Sequence, residues 1–186
     1  MQENIMKHQT LAVLLAAALA CCHRPSAEMA PPPTTAAPHQ GTEYVPPATT
    51  PGVDGWVMYV NAKPYTPANV KDFRPGFATP EAALLHFYAS KMRGDEDWKQ
   101  ALVNESIPDW DRVFSAAMFK RLQEKLDRSR NWNYLEISLV GKKESGDRIH
   151  IKIKARIEAG GRMESGTDDA TLMKIGDRWV VVSIPT

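Results

Sequence analysis

Two hydrophobic periods divide the chain beyond Val53. Up to about Arg130 apolar residues return every three or four positions, and from Tyr134 they return at every second one. Helices are therefore expected first and strands afterwards. The first helix is the most sharply marked. Thr79 is suited to cap it, Pro80 to open it and Glu81 to face its positive end, and Gly94 closes it. Leu84, Leu85, Tyr88, Ala89 and Met92 make its apolar stripe. His86, Ser90 and Arg93 are expected on the wet side, and Phe87, off the stripe, under the preceding segment. Asp95 can cap a short second helix carrying Trp98, Ala101 and Leu102. After Pro108, Asp109 or Asp111 starts a third helix that reaches about Arg130. Phe114, Met118, Phe119, Leu122 and Leu126 form its stripe, and Glu124 and Arg128 have i,i+4 spacing.

Alternation then takes over. Leu135, Ile137 and Leu139 mark one strand, and Ile149, Ile151, Ile153, Ala155 and Ile157 mark a second. A third is expected over 167–175 and a fourth over 179–184. The turns between them fall at Ser145-Gly146-Asp147, Gly160-Gly161 and Gly176-Asp177. The expected domain is α+β, with three N-terminal helices on one face of a four-stranded antiparallel sheet. Ahead of the helices, 55–60 (GWVMYV) reads as a short strand or as an arm packed on the body. Pro64, Pro67 and Pro75 keep the chain irregular from there to Ala78.

The stretch before the domain has a different character. Lys7 and His8 precede a ten-residue apolar run, Leu11 to Ala20, which ends at the chain's two cysteines, Cys21 and Cys22. A membrane span needs roughly 20 apolar residues, so the run has the length of a secretory h-region instead. The segment resembles a bacterial lipoprotein signal, in which a cysteine after the cleaved bond is lipidated. Leu19-Ala20 fits Cys22 as the acceptor, and Ala18-Leu19-Ala20 sets Leu one place late for Cys21. The plainer alternative is an ordinary secretory signal. Residues 1–20 are thus expected to be a signal peptide and 21–52 a Pro/Thr/Ala-rich disordered tether, which carries the lipidated cysteine at its start. The domain is expected over 53–186. His23 to Gly52 holds 8 of the 14 prolines and three formal charges, and such a chain reaches at most on the order of 90 Å. The expected location is the cell envelope, on a membrane through a lipid anchor. Neither cysteine is followed by Asp, which permits an outer-membrane destination.

Charge narrows the function classes. Lys and Arg number 23 against 22 Asp and Glu, for a formal net charge of +1, so there is no global pull on nucleic acid or on anionic lipid. Two adjacent cysteines make neither a disulfide framework nor a Cys-based zinc site.

A resemblance accompanies these elements. Thr79-Pro80-Glu81-Ala82, Phe87-Tyr88, Met92, Gly94-Asp95 and Ala101, followed by strands ending in Gly176-Asp177-Arg178-Trp179-Val180-Val181, resemble the NTF2-like (cystatin-like cone) superfamily. Within it, the chain resembles small bacterial envelope lipoproteins of unassigned function. The resemblance spans about Thr79 to Ile184 and implies helices filling a cone against a curved sheet, often with a pocket and often as a dimer. It departs from the family between Leu102 and Asp111, which leave no room for the hairpin many members place there. Enzymes of the superfamily are isomerases or dehydratases. The isomerases carry a Tyr seven residues before the Gly-Asp of the first helix, where this chain has Phe87; its phenol is one place on, at Tyr88.

No catalytic constellation is expected from the residues themselves. The inward strand positions are aliphatic and supply no base or proton donor. Asp168-Asp169 is the one paired carboxylate on a strand, but adjacent strand residues face opposite ways, so the pair reads as a solvated strand start. The histidines lack metal-ligand spacing, no phosphate loop precedes a helix, and no Ser or Cys nucleophile motif is present, so no metal and no cofactor is expected. Tyr88, Trp132 and Trp179 are the pocket candidates, although tryptophans more often anchor cores. His150, Lys152, Lys154 and Arg156 line one strand face about 7 Å apart. They make either a platform for an acidic partner or a face kept soluble by charge. Nucleic acid is not expected there, since no aromatics interleave the stripe. The function expected is a non-catalytic binding or interaction module for an envelope protein or a small apolar ligand. The alternatives are an isomerase- or dehydratase-like enzyme using a cone pocket, and a homodimer through the sheet.

Overall fold

Six strands hydrogen-bond in the order β1-β2-β3-β4-β5-β6, all antiparallel. They are β1 (Thr49–Pro51), β2 (Val57–Tyr59), β3 (Asn133–Ser145), β4 (Arg148–Ala159), β5 (Arg162–Ile175) and β6 (Arg178–Ser183). The structure is a computed structural model describing residues 44–185, which fall within one compact unit, Pro38–Thr186. The expected signal peptide, Cys21 and Cys22, and the tether up to residue 43 lie outside the described residues.

The sheet corrects the expectation of three N-terminal helices on four strands. The added pair, β1 and β2, precedes the helices and docks on β3 through Val57↔Lys142 and Met58↔Gly141. Gly141 permits this approach, because a Cβ there would lie 3.0 Å from the Met58 sulfur and from the Val57 carbonyl oxygen. The last residues of the stretch read as tether are therefore ordered: Thr49–Pro51 is a strand, and the Tyr44 ring meets Phe73 edge-on at 6.3 Å. Pro51 is tolerated because β1 is an edge strand.

The helices are also divided differently and are mostly shorter than expected. The first, α1 (Pro80–Arg93), begins and ends as its caps predict: the Thr79 hydroxyl accepts from the Ala82 N–H at 3.1 Å, and Gly94 closes the helix at φ 73°. The second is only a 3-10 turn, Asp97–Ala101. The third is divided into α2 (Trp110–Val113) and α3 (Ala116–Arg128). Phe114 adopts an extended backbone and buries its ring, and Ser115 then caps α3 by accepting from the Met118 N–H. Burying that aromatic side chain interrupts what the stripe reads as continuous helix.

Residues Glu81 to Ser90 of α1 are all buried, because α1 is covered on both sides. The sheet face lies beneath it, and the irregular segment after β2 wraps over it. The Arg93 side chain fastens that segment by donating to the Val70 and Phe73 carbonyls at 3.3 and 2.9 Å. His86 and Ser90 are consequently interior, not on a wet face. Phe87 meets Trp98 edge-on at 6.1 Å.

The β4–β5 turn is the two-residue loop Gly160-Gly161, with both φ values positive, at 57° and 76°, as a tight hairpin demands. It sets a register of Ile157↔Glu164, Ala155↔Gly166, Ile153↔Asp168 and Ile151↔Ala170. β6 pairs only with Thr171–Ile175, so the first part of β5 has β4 as its sole strand neighbour.

Candidate functional site

A cavity of about 250 Å³ opens where the sheet runs past the helices. Its floor is the small pair Ala155↔Gly166, and a Cβ at Gly166 would meet nothing within 4 Å. Ile153 and Ile157 flank the floor on β4, and Asp168 and Glu164 flank it on β5. Tyr88 from α1, with Trp132 and Tyr134 at the start of β3, makes the aromatic wall. Tyr134 meets Tyr88 at 5.2 Å and Trp132 at 6.3 Å between ring centroids, both roughly edge-on.

Tyr88 is 2% exposed, and its hydroxyl makes no hydrogen bond within the protein among the described residues. Burial holds its pKa well above the ordinary phenol value, and the neighbouring Tyr134 and Asp168 add to the effect. Burial also pushes Tyr134 up to about 12, although the Ser129 hydroxyl acts the other way. Both phenols stay protonated at neutral pH and can donate or accept one hydrogen bond. Asp168 and Glu164 are exposed at the cavity rim. The Asp168 carboxylate accepts from the Asp169 N–H at 2.7 Å, which fixes its position.

Of the three pocket candidates, Tyr88 and Trp132 meet in this cavity. Trp179 does not: it is half-buried on β6 opposite Lys174, and its backbone N–H donates to the Phe77 carbonyl at 3.0 Å. Asp168 and Asp169 do face opposite ways, but Asp168 shares the cavity with Tyr88 instead of standing apart from it. The missed residues are Asp168, Glu164 and Tyr134. A signal for the two acids was present in the sequence: a two-residue turn at Gly160-Gly161 already pairs Asp168 with Ile153 and Glu164 with Ile157.

The basic stripe lies on the opposite face of β4 and is largely occupied by its own neighbours. Lys152 stands 4.1 Å over the Trp56 ring, Arg156 is 3.6 Å from Glu136, and His150 Nδ1 is 3.3 Å from the Thr171 hydroxyl. Lys154 is exposed, opposite Thr167.

Two further buried polar groups belong to the core. Glu81 is 1% exposed and accepts from the Tyr59 hydroxyl and the Lys142 ammonium, each at 2.8 Å. Burial alone would raise its pKa, but the bonds from Lys142 and Tyr59 outweigh that and leave it lowered. The His86 ring lies tilted against Phe77 at 4.7 Å between centroids, and neither of its ring nitrogens has a partner among the described residues. A second concavity, about 490 Å³, lies between α2 and the β5–β6 turn. It mixes Asp109 and Asp177 with Lys174 and Arg178, so its charges select no ligand class.

No family model and no curated protein matches the chain. A solution structure of a SEC-C motif containing protein from Rhodopseudomonas palustris is similar at 22% identity, covering 57% of this chain and 77% of that one, with a TM-score of 0.40. A likeness that slight carries no argument about fold or activity.

Proposed function

We propose that the protein is a lipid-anchored binding module of the bacterial cell envelope, whose domain takes a small ligand into the cavity beside Tyr88 and does no chemistry on it. The lipoprotein-like signal, with its cysteines at the cleavage point, supports the anchor, and the NTF2-like resemblance supports a pocketed domain. The observation that carries the binding role is the lining itself. Two further aromatic rings, Trp132 and Tyr134, and three aliphatic strand residues line the cavity with the buried Tyr88, whose hydroxyl lacks a protein partner among the described residues. Mostly apolar concavities with a few convergent polar groups are the usual form of a small-ligand site.

The enzymatic alternative rests on one specific observation, that the Tyr88 phenol and the Asp168 carboxylate line the same cavity. Proton transfer between such groups and a ligand is the chemistry of an isomerase or dehydratase. The rim position of Asp168 favours binding instead, since its carboxylate is exposed to water that such a reaction excludes.

The test is non-denaturing mass spectrometry of the full chain released gently from its own membranes. The expected result is acyl mass on Cys21 or Cys22, together with a small molecule that survives isolation with the wild type. Gly166→Leu should lose that molecule, because the new side chain enters the floor without backbone strain. Equal capture by both chains would defeat the cavity as the site, and a mature chain without acyl mass would defeat the anchor. A captured molecule that changes mass on incubation with the protein would move the reading to catalysis.

A further inference from the structure

The cavity's charges point to one class of ligand. Its lining holds two carboxylates, Glu164 and Asp168, and no basic side chain. Neither carboxylate takes part in an ion pair among the described residues, whereas Glu81, Asp95, Asp97, Asp127 and Glu136 all do. Arg162, on the same face of β5, sits at the hairpin tip outside the lining.

The aromatic wall adds a second, independent observation. The Tyr88 side chain is almost wholly buried and lines the cavity, and its hydroxyl makes no hydrogen bond among the described residues. A protonated phenol oxygen accepts a hydrogen bond from an N–H donor. The ring faces of Trp132 and Tyr134 attract positive charge through their quadrupoles. Glu164 and Asp168 are four residues apart, about 13 Å along the strand, so they do not close on a single point charge as a metal site would. They flank instead a floor of Ala155 and Gly166 on which a hydrocarbon body can lie.

We propose that the cavity binds an organic cation with an apolar body, its ammonium at the Asp168 carboxylate beside Tyr88 and its hydrocarbon part across the Ala155–Gly166 floor. This rests on the reading that the cavity is a ligand site. It goes further by assigning the ligand's charge and its orientation. Glu164, at the outer rim, adds attraction for the cation as it enters. An anionic ligand of the same shape meets two unpaired carboxylates and is rejected.

The experiment is calorimetric titration of the full chain with three probes that share one body: 4-phenylbutylamine, 4-phenylbutanol and 4-phenylbutyrate. The amine is expected to bind about tenfold more tightly than the alcohol, with the carboxylate weakest, as a charge-assisted contact and a cation–π contact together imply. Asp168→Asn should bring the amine within about twofold of the alcohol, and Glu164→Gln should have a smaller effect in the same direction. Rising salt should weaken the amine alone. If amine and alcohol bind alike to the wild type, with both lost in Gly166→Leu, the cation assignment fails and the ligand site stands. If no probe binds, or Gly166→Leu binds all three as the wild type does, both fall together.

Discussion

The two ends of strand β5 show what covering a sheet does to a sequence. From Thr171 to Met173 the strand lies between β4 and β6, and over Ala170 to Ile175, with α1 packed above, Ala170, Leu172, Met173 and Ile175 are buried. From Arg162 to Asp168 every residue is exposed, and the side chains are small, polar or charged, with Met163 the single large apolar one. The register with β4 is unbroken across both parts. Backbone pairing therefore continues where side-chain packing stops, and the step between the two regimes is where the cavity lies.

The largest expected effect tests that contrast directly. Leu172 is fully buried and Met163 is 60% exposed, on the same strand. Leu172→Ala should cost about 3 kcal/mol through lost burial and the void it leaves, lowering the melting temperature by roughly 10 °C for a domain of this size. Met163→Ala should move stability by no more than about 0.5 kcal/mol. Calorimetric melting of both variants checks the pair. Similar losses would mean that the first part of β5 is covered in solution.

A somewhat smaller effect is expected where the covered region holds a charge. Glu81 is buried and tied to Lys142, whose side chain is 30% exposed. Lys142→Met should cost roughly 2–3 kcal/mol, below the ~3–5 kcal/mol for breaking a fully dry pair. The pH dependence has a definite sign. Glu81's folded pKa is lowered, so its contribution is fully present above the unfolded carboxylate pKa, near 4, and is lost as pH falls through the folded value. In Lys142→Met the acid-unfolding midpoint should move to higher pH. A midpoint that stays in place in chemical denaturation across pH would show that Lys142 is not what keeps the carboxylate charged.

How much of this was legible in the sequence follows the same division. Thr79, Pro80 and Gly94 delimit α1 because caps are local chemistry, and the Ile149–Ile157 alternation marks β4 because one of its faces is buried. β1 and β2, at three residues each, carry too little periodicity to mark a strand. The first part of β5 escaped notice because, with both faces exposed, it has no apolar alternation. Asp168 and Glu164 are legible only through the register that the Gly160-Gly161 turn sets, and not through residue type. His86 and Ser90 read as a wet face because a helix covered on two sides looks amphipathic in sequence when its second cover is an irregular loop.

His86 supplies the smallest expected effect and the clearest exception to the rule that buried polar groups are paired. Burial is the main cause of its lowered pKa; Asp97 and Asp95 pull it upward, and Arg93 and Arg74 push it down. Below the ordinary histidine pKa of about 6.5 the unfolded chain takes up a proton that folded His86 resists. Stability should therefore fall as pH drops from about 6.5 toward the folded value. This window lies above the range in which Glu81 and Asp95, both lowered, begin to lose their contributions. His86→Phe preserves an aromatic ring against Phe77 and removes the titration. It should flatten the stability-versus-pH curve just below about pH 6.5 and leave the carboxylate limb at lower pH in place. Urea denaturation at half-unit steps of pH reads this directly. An unchanged slope in that window would mean that folded His86 protonates as freely as the unfolded side chain, and that the segment bearing Phe77 covers α1 less tightly than its packing implies.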